Sequence, residues 1–191
     1  MAIQGDPGDT FEDYQAALSI SDWETTLAVS DGNTHNYLET LTGWILDSTA
    51  DVDRLDAFEQ FLVTSSRHEL LRKNRNTVEP TELLGIWMNA LEMRPELIRA
   101  EMRNQYYFGG VAIAQLFNSK THSNTGKKIR FIYESGWRID AMGLMEAFYD
   151  ASAYGLGDKF LTESPTTYSE RGYLSRHPQM PDNPYPERLT L

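Results

Sequence analysis

Along the first half of the chain apolar residues recur every three or four positions, the period at which an α-helix buries a single face. Phe11, Tyr14 and Leu18 share one side of a first helix, with Thr10 placed to cap it and Glu12 and Asp13 in its first turn. Ser21 followed by Glu24 reads as a capping box for a helix that carries Trp23 and Leu27 and stops at Asp31-Gly32. Tyr37, Leu38, Leu41, Trp44 and Ile45 make the next stripe. Asp51 then opens a helix holding Leu55, Phe58, Phe61 and Leu62, and the Ser66/Glu69 pair predicts a break and a restart into Leu70 and Leu71.

The second half is less regular. Pro80 suits the first turn of a helix bearing Leu83, Leu84, Trp87 and Leu91. Pro95 disfavours helical geometry at Arg94, so a new helix is expected to carry Leu97, Ile98 and Met102 as far as Gly109-Gly110. Residues 111–117 (VAIAQLF) are apolar on nearly every side and read as a buried helix, with a strand as the alternative. A polar loop from Asn118 to Lys128 precedes IRFIYE (129–134), whose β-branched and aromatic content predicts a short strand. Ile139, Met142, Met145, Phe148 and Tyr149 mark a last amphipathic helix that stops at Gly155. The expected core includes Trp23, Leu41, Trp44, Phe58, Leu62, Leu84, Trp87, Leu91, Ile113, Phe117, Met145 and Phe148.

These elements predict a mainly α fold: a compact multi-helix domain over residues 10–160 with at most a short β element. A short N-terminal arm (1–9) precedes it and an extended arm (161–191) follows. Pro178, Pro181, Pro184 and Pro186 exclude helix and central strand from the end of that second arm, which is expected to gain order by lying across a neighbouring subunit.

Composition removes several function classes. There is no cysteine, hence no disulfide, thiolate metal site or cysteine nucleophile. The start of the chain, MAIQGDPGDTFEDY, has no apolar run and is no signal peptide, and no stretch reaches membrane-spanning length. A soluble intracellular protein, or a subunit of an assembled particle with no membrane partner, is the expectation.

Charge changes the picture more. Residues 1–60 hold thirteen Asp and Glu against the single base Arg54, a net of −12. Residues 67–138 hold twelve Lys and Arg against seven Glu, net +5, while the whole chain stands at −11. Two basic clusters lie in that central stretch. One is Arg67, His68, Arg72, Lys73 and Arg75; the other is Lys120, His122, Lys127, Lys128 and Arg130. Lys and Arg spaced by small polar residues can reach phosphates at several depths, and Tyr106, Tyr107 and Phe108 lie between the clusters where they could stack on bases.

No catalytic or metal motif survives inspection. SNTGKK (123–128) fails as a phosphate loop because Thr121 stands where the first Gly belongs and Lys128 where a hydroxyl is required. His35 and Glu39 are two ligands and not a site; Asp51, Asp53 and Asp56 lack the Gly and Glu of a calcium loop. No cofactor is implied, and a non-catalytic role is expected over an enzymatic one.

The function expected from these features is a self-assembling coat- or nucleocapsid-like subunit that packages nucleic acid, RNA being the expected cargo. Its phosphate contacts would be Arg67, Arg72, Lys73, Arg75, Lys120, Lys127, Lys128 and Arg130. The alternatives are a protein-binding module (an adaptor, immunity or inhibitor protein) that uses its acidic N-terminal third, and an enzyme subunit whose site is built from distant residues.

Overall fold

A computed structural model describes residues 5–154, and the arm expected over 161–191 lies outside them. The chain forms helices α1 (Pro7–Ile20), α2 (Trp23–Ala28) and α3 (Gly32–Leu46), a single 3-10 turn (Val52–Arg54), then α4 (Ala57–Arg72), α5 (Pro80–Ala90) and α6 (Met93–Ile98). Four strands follow, β1 (Ala100–Phe108), β2 (Val111–Asn118), β3 (Asn124–Tyr133) and β4 (Trp137–Ile139), and α7 (Ala141–Tyr154) closes the described part.

The helix starts are set by aspartates. Asp6, Asp22, Asp31 and Asp56 accept from backbone N–H groups of α1, α2, α3 and α4 respectively. Each satisfies a donor that the first turn leaves unpaired and places negative charge at the positive end of the helix dipole. Much of the acidic character of residues 1–60 is therefore helix-start chemistry. Several expected caps differ in consequence. Thr10 lies inside α1 and donates to the Trp137 carbonyl instead. Ser21 is the left-handed residue ending α1, at φ 60°, and Asp22 opens α2. Asp51 caps only the 3-10 turn. The break expected at Ser66 is absent because that hydroxyl is buried inside a continuous α4, donating to the Leu62 carbonyl and accepting from the Trp87 indole.

The mainly α expectation is overturned by the sheet. The four strands form one antiparallel meander in the order β1-β2-β3-β4, so the fold is α+β, with six α-helices preceding the sheet and one following it among the described residues. Residues 111–117 are a central strand, not a helix. Ala112, Ala114 and Leu116 point into the main core against the helices, while Val111 and Ile113 alternate to the other face, where they form a second buried cluster with Ile132. A strand covered on both faces is apolar at every position, which removes the alternation that would have marked it. Met102 belongs to β1, Ile139 to β4, and Gly109-Gly110 is the tight turn of the β1–β2 hairpin. The short strand expected at 129–134 is the second half of a ten-residue strand.

Helices α1 and α7 pack on β4 and β3, and α3, α4 and α5 pack on one another behind them. Of the expected core, Trp87, Leu62, Leu84 and Met145 are fully buried, whereas Trp23, Trp44 and Phe117 are half-buried. Among the described residues no helix is long and apolar enough to cross a membrane.

Candidate functional site

Most of the cations expected to meet phosphate are already engaged within the protein. Arg67 spans from α4 to the end of α3, donating to the carbonyls of Trp44 at 2.8 Å and Asp47 at 2.6 Å, where it complements the helix dipole. Arg72 and Lys73 both pair with Glu69, at 2.7 and 3.2 Å, and these bonds hold the Glu69 carboxyl down at about 2. Arg75 meets Glu82 at 2.5 Å. Lys127 sits 2.8 Å from Glu96 with its ammonium 4.5 Å from the centre of the Phe148 ring. Arg130 is largely buried against Asp140. Lys128 lies half-buried on β3, opposite Gln115. Lys120, in the β2–β3 turn, and Arg99, just before β1, are exposed and have no carboxylate partner among the described residues.

Two grooves meet at Asn89; the first takes in only His68 and Lys73 of the first cluster, and the second is lined by no residue of the second cluster. The first runs between α2, α4 and α5 and is floored by Trp23, whose indole lies flat on Gly85. A Cβ at Gly85 would stand 2.7 Å from that ring, so the close approach depends on glycine. This groove carries His68 and Lys73 against Glu69 and Glu82. The second lies between α6 and the β2–β3 turn and carries Arg94 and Arg99 against Glu92 and Glu96. With His68 neutral the first groove is net negative and the second is balanced, a poor match for a polyanion, whose affinity comes from Lys and Arg that neutralise phosphates. Among the described residues no three His, Asp or Glu side chains are grouped to hold a metal.

A different surface stands out at the sheet edge. The β4 edge is occupied: the Asp31 N–H donates to the Ile139 carbonyl at 2.8 Å and the Ile139 N–H donates to Val29 at 2.9 Å. The β1 edge pairs with no further strand among the described residues. Residues 104–108 are exposed, with Tyr106 at 50%, Tyr107 at 54% and Phe108 at 38%. Three large aromatics in a row on a free edge are unusual, because such edges are ordinarily blunted by charge or proline. Here Glu101 and Arg103 neutralise each other at 2.6 Å, and neither Lys nor Pro occurs in the strand. One blunting device is present. A bulge between Arg103 and Tyr106, with Asn104 at φ 52°, separates the aromatic end from the rest of the strand.

Three ionisable side chains are buried where the helices join the sheet. Asp31 is 1% exposed and Asp140 3%, and Arg130 is the cation between them. Asp140 Oδ2 accepts from Arg130 Nε at 2.7 Å and also from Nη2, while Oδ1 accepts from the Gly143 N–H at 2.9 Å as the cap of α7. Tyr14 Oη is buried with no hydrogen-bond partner; burial, then the negative charge of Asp140, push its ionisation far upward, so it stays neutral.

Sequence reasoning missed both the sheet edge and this buried cluster. Tyr106–Phe108 could have been read as an edge strand from the two glycines that follow it. Nothing local pairs Asp31 with Asp140, which are brought together only by the docking of Ser30 on Ile139. Compared with family models, with characterised proteins and with solved structures, the chain matches none.

Proposed function

We propose that this protein is a non-catalytic structural subunit that associates with a second copy of itself through the exposed aromatic end of β1. The observation that carries the reading is the β1 edge, which pairs with no further strand among the described residues and bears Tyr106, Tyr107 and Phe108. A sheet with one free edge takes one added strand, and if that strand is β1 of another copy the result is a closed two-fold pair. The charge layout suits a like partner at this place: the chain carries −11 overall, while the β1 edge is locally neutral and meets no like-charge repulsion there. In antiparallel pairing centred on Tyr107, Tyr106 of one copy lies opposite Phe108 of the other, and aromatic cross-strand pairs stabilise by roughly 0.2–1 kcal/mol each.

Nucleic acid as cargo is the weaker reading. Its support is Arg99, just before β1, and Lys120, in the β2–β3 turn, both exposed without an acidic partner among the described residues. Light scattering across a concentration series, with the 260/280 nm absorbance ratio of the purified protein, tests both. A dimer that dissociates on dilution and on Tyr106→Lys/Phe108→Lys substitution, with a protein-like absorbance ratio, is expected. A monomer at every concentration, or a dimer indifferent to those substitutions, would overturn the reading; large particles absorbing at 260 nm would restore nucleic acid.

A further inference from the structure

We infer that Asp31, Asp140 and the one guanidinium of Arg130 form a proton-operated latch between the start of α3 and strand β4, closed by a proton on Asp31. The two carboxylates are treated differently by their surroundings. Asp140 has both oxygens engaged, Oδ2 by Arg130 and Oδ1 by the Gly143 N–H, so it keeps its charge. Asp31 has no direct bond to a cation among the described residues. Its Oδ1 accepts from the Thr34 N–H at 3.0 Å and from the Thr34 hydroxyl at 2.5 Å, but Oδ2 has only a long contact of 3.3 Å from Asn33. A carboxylate that is 1% exposed with one oxygen nearly bare carries a large desolvation cost, which a proton on Oδ2 removes. Burial first, and the charge of Asp140 second, raise the Asp31 carboxyl to about 7, against the opposing pull of the Thr34 bonds and of Arg130.

The remaining ionisable groups on the elements meeting here are held in other contacts or buried. Glu134 accepts from the Gly32 N–H at 2.8 Å, Arg138 donates to the Ala28 carbonyl, and the His35 ring lies 2.9 Å from the Leu27 carbonyl. Tyr14 is neutral, and Glu146 of α7 is buried with interactions of its own. Among the described residues Arg130 is thus the cation at this site, bonded to Asp140 and acting on Asp31 only through its charge. The backbone of Asp31 itself makes the bond to Ile139 that seals the β4 edge, so its charge state acts where helix layer and sheet are joined.

The sign follows from the direction of the shift. A carboxyl whose folded value lies above its ordinary 3.8 stabilises the fold fully in acid, and that contribution is lost as pH rises through about 7. The latch therefore tightens below neutrality and loosens above it. Thermal unfolding of the full chain at about pH 5 and about pH 8.5 reads this. The wild type should melt several degrees lower at the alkaline value. Asp31→Asn keeps the Thr34 bonds and removes the charge, so its midpoint should change far less over the same span and exceed wild type at the alkaline end. A carbon-detected titration of the Asp31 carboxyl in wild-type protein gives a second reading that needs no variant to fold. A carboxyl titrating in the ordinary acid range, or equal losses in wild type and Asp31→Asn, would overturn the latch.

Discussion

Arg130 is the residue whose reading changes most between spacing and structure. In sequence it closes a basic cluster (Lys127, Lys128, Arg130) and looks made for phosphate. In the fold its side chain is 12% exposed and its Nε and Nη2 converge on Asp140 Oδ2. Removing one partner of such a pair leaves an uncompensated charge in the interior, at a typical cost of about 3–5 kcal/mol. Arg130→Gln is therefore expected to lower the thermal midpoint sharply, while Lys120→Gln, on an exposed turn, leaves it unchanged. Equal, small effects from both would return Arg130 to the surface. Lys127 gives a milder version, since Glu96 and the Phe148 ring hold it at 13% exposure. Charge counts identify cations but not what they already face.

The same contrast holds for elements. Periodicity located the helical stripes of α1, α3 and α4, each of which buries one face and exposes the other, and those of α5 and α7, whose described residues are buried or half-buried nearly throughout. It misread β2, for which both faces are covered, and β1, whose first residues continue the apolar spacing of α6. The glycines were the available signal. Gly109 has φ 61° and Phe108 pairs with Val111, so Gly109-Gly110 is a two-residue hairpin turn with its positive φ at the first central position. A β-branched side chain is strained there, by on the order of 1–2 kcal/mol. Gly109→Val should accordingly weaken amide protection across β1 and β2 while the helical circular dichroism persists. Unchanged protection would mean the hairpin does not depend on that turn. The aspartate caps follow a similar logic: spacing put helix starts at Ser21 and Asp51 and read Asp31-Gly32 as a stop, whereas the observed acceptors at helix starts are Asp22, Asp31 and Asp56.

At the scale of the molecule, salt separates the two associations that have been considered. Copies carrying −11 repel each other, and the proposed contact at β1 is neutral, so added salt should screen the repulsion and strengthen the dimer. Phosphate binding behaves in the opposite way, weakening steeply as salt rises. A dissociation constant from sedimentation that falls between low and moderate ionic strength supports β1 pairing; one that rises argues against it.

What the sequence determined by itself was local: which stretches carry helical apolar stripes, and that acid is concentrated before residue 61 and base after it. Those properties depend on residues within a turn or two of one another. The tertiary structure alone decided that the apolar run at 111–117 is a strand, that the cations are mostly spent on Glu69, Glu82, Glu96 and Asp140, and that Asp31 comes to share a buried site with Asp140. Each of these depends on strand register and on helices docking across long separations in the chain. A residue's spacing records the one face it shares with its neighbours, whereas its charge state and its partner are fixed by what packs against the other.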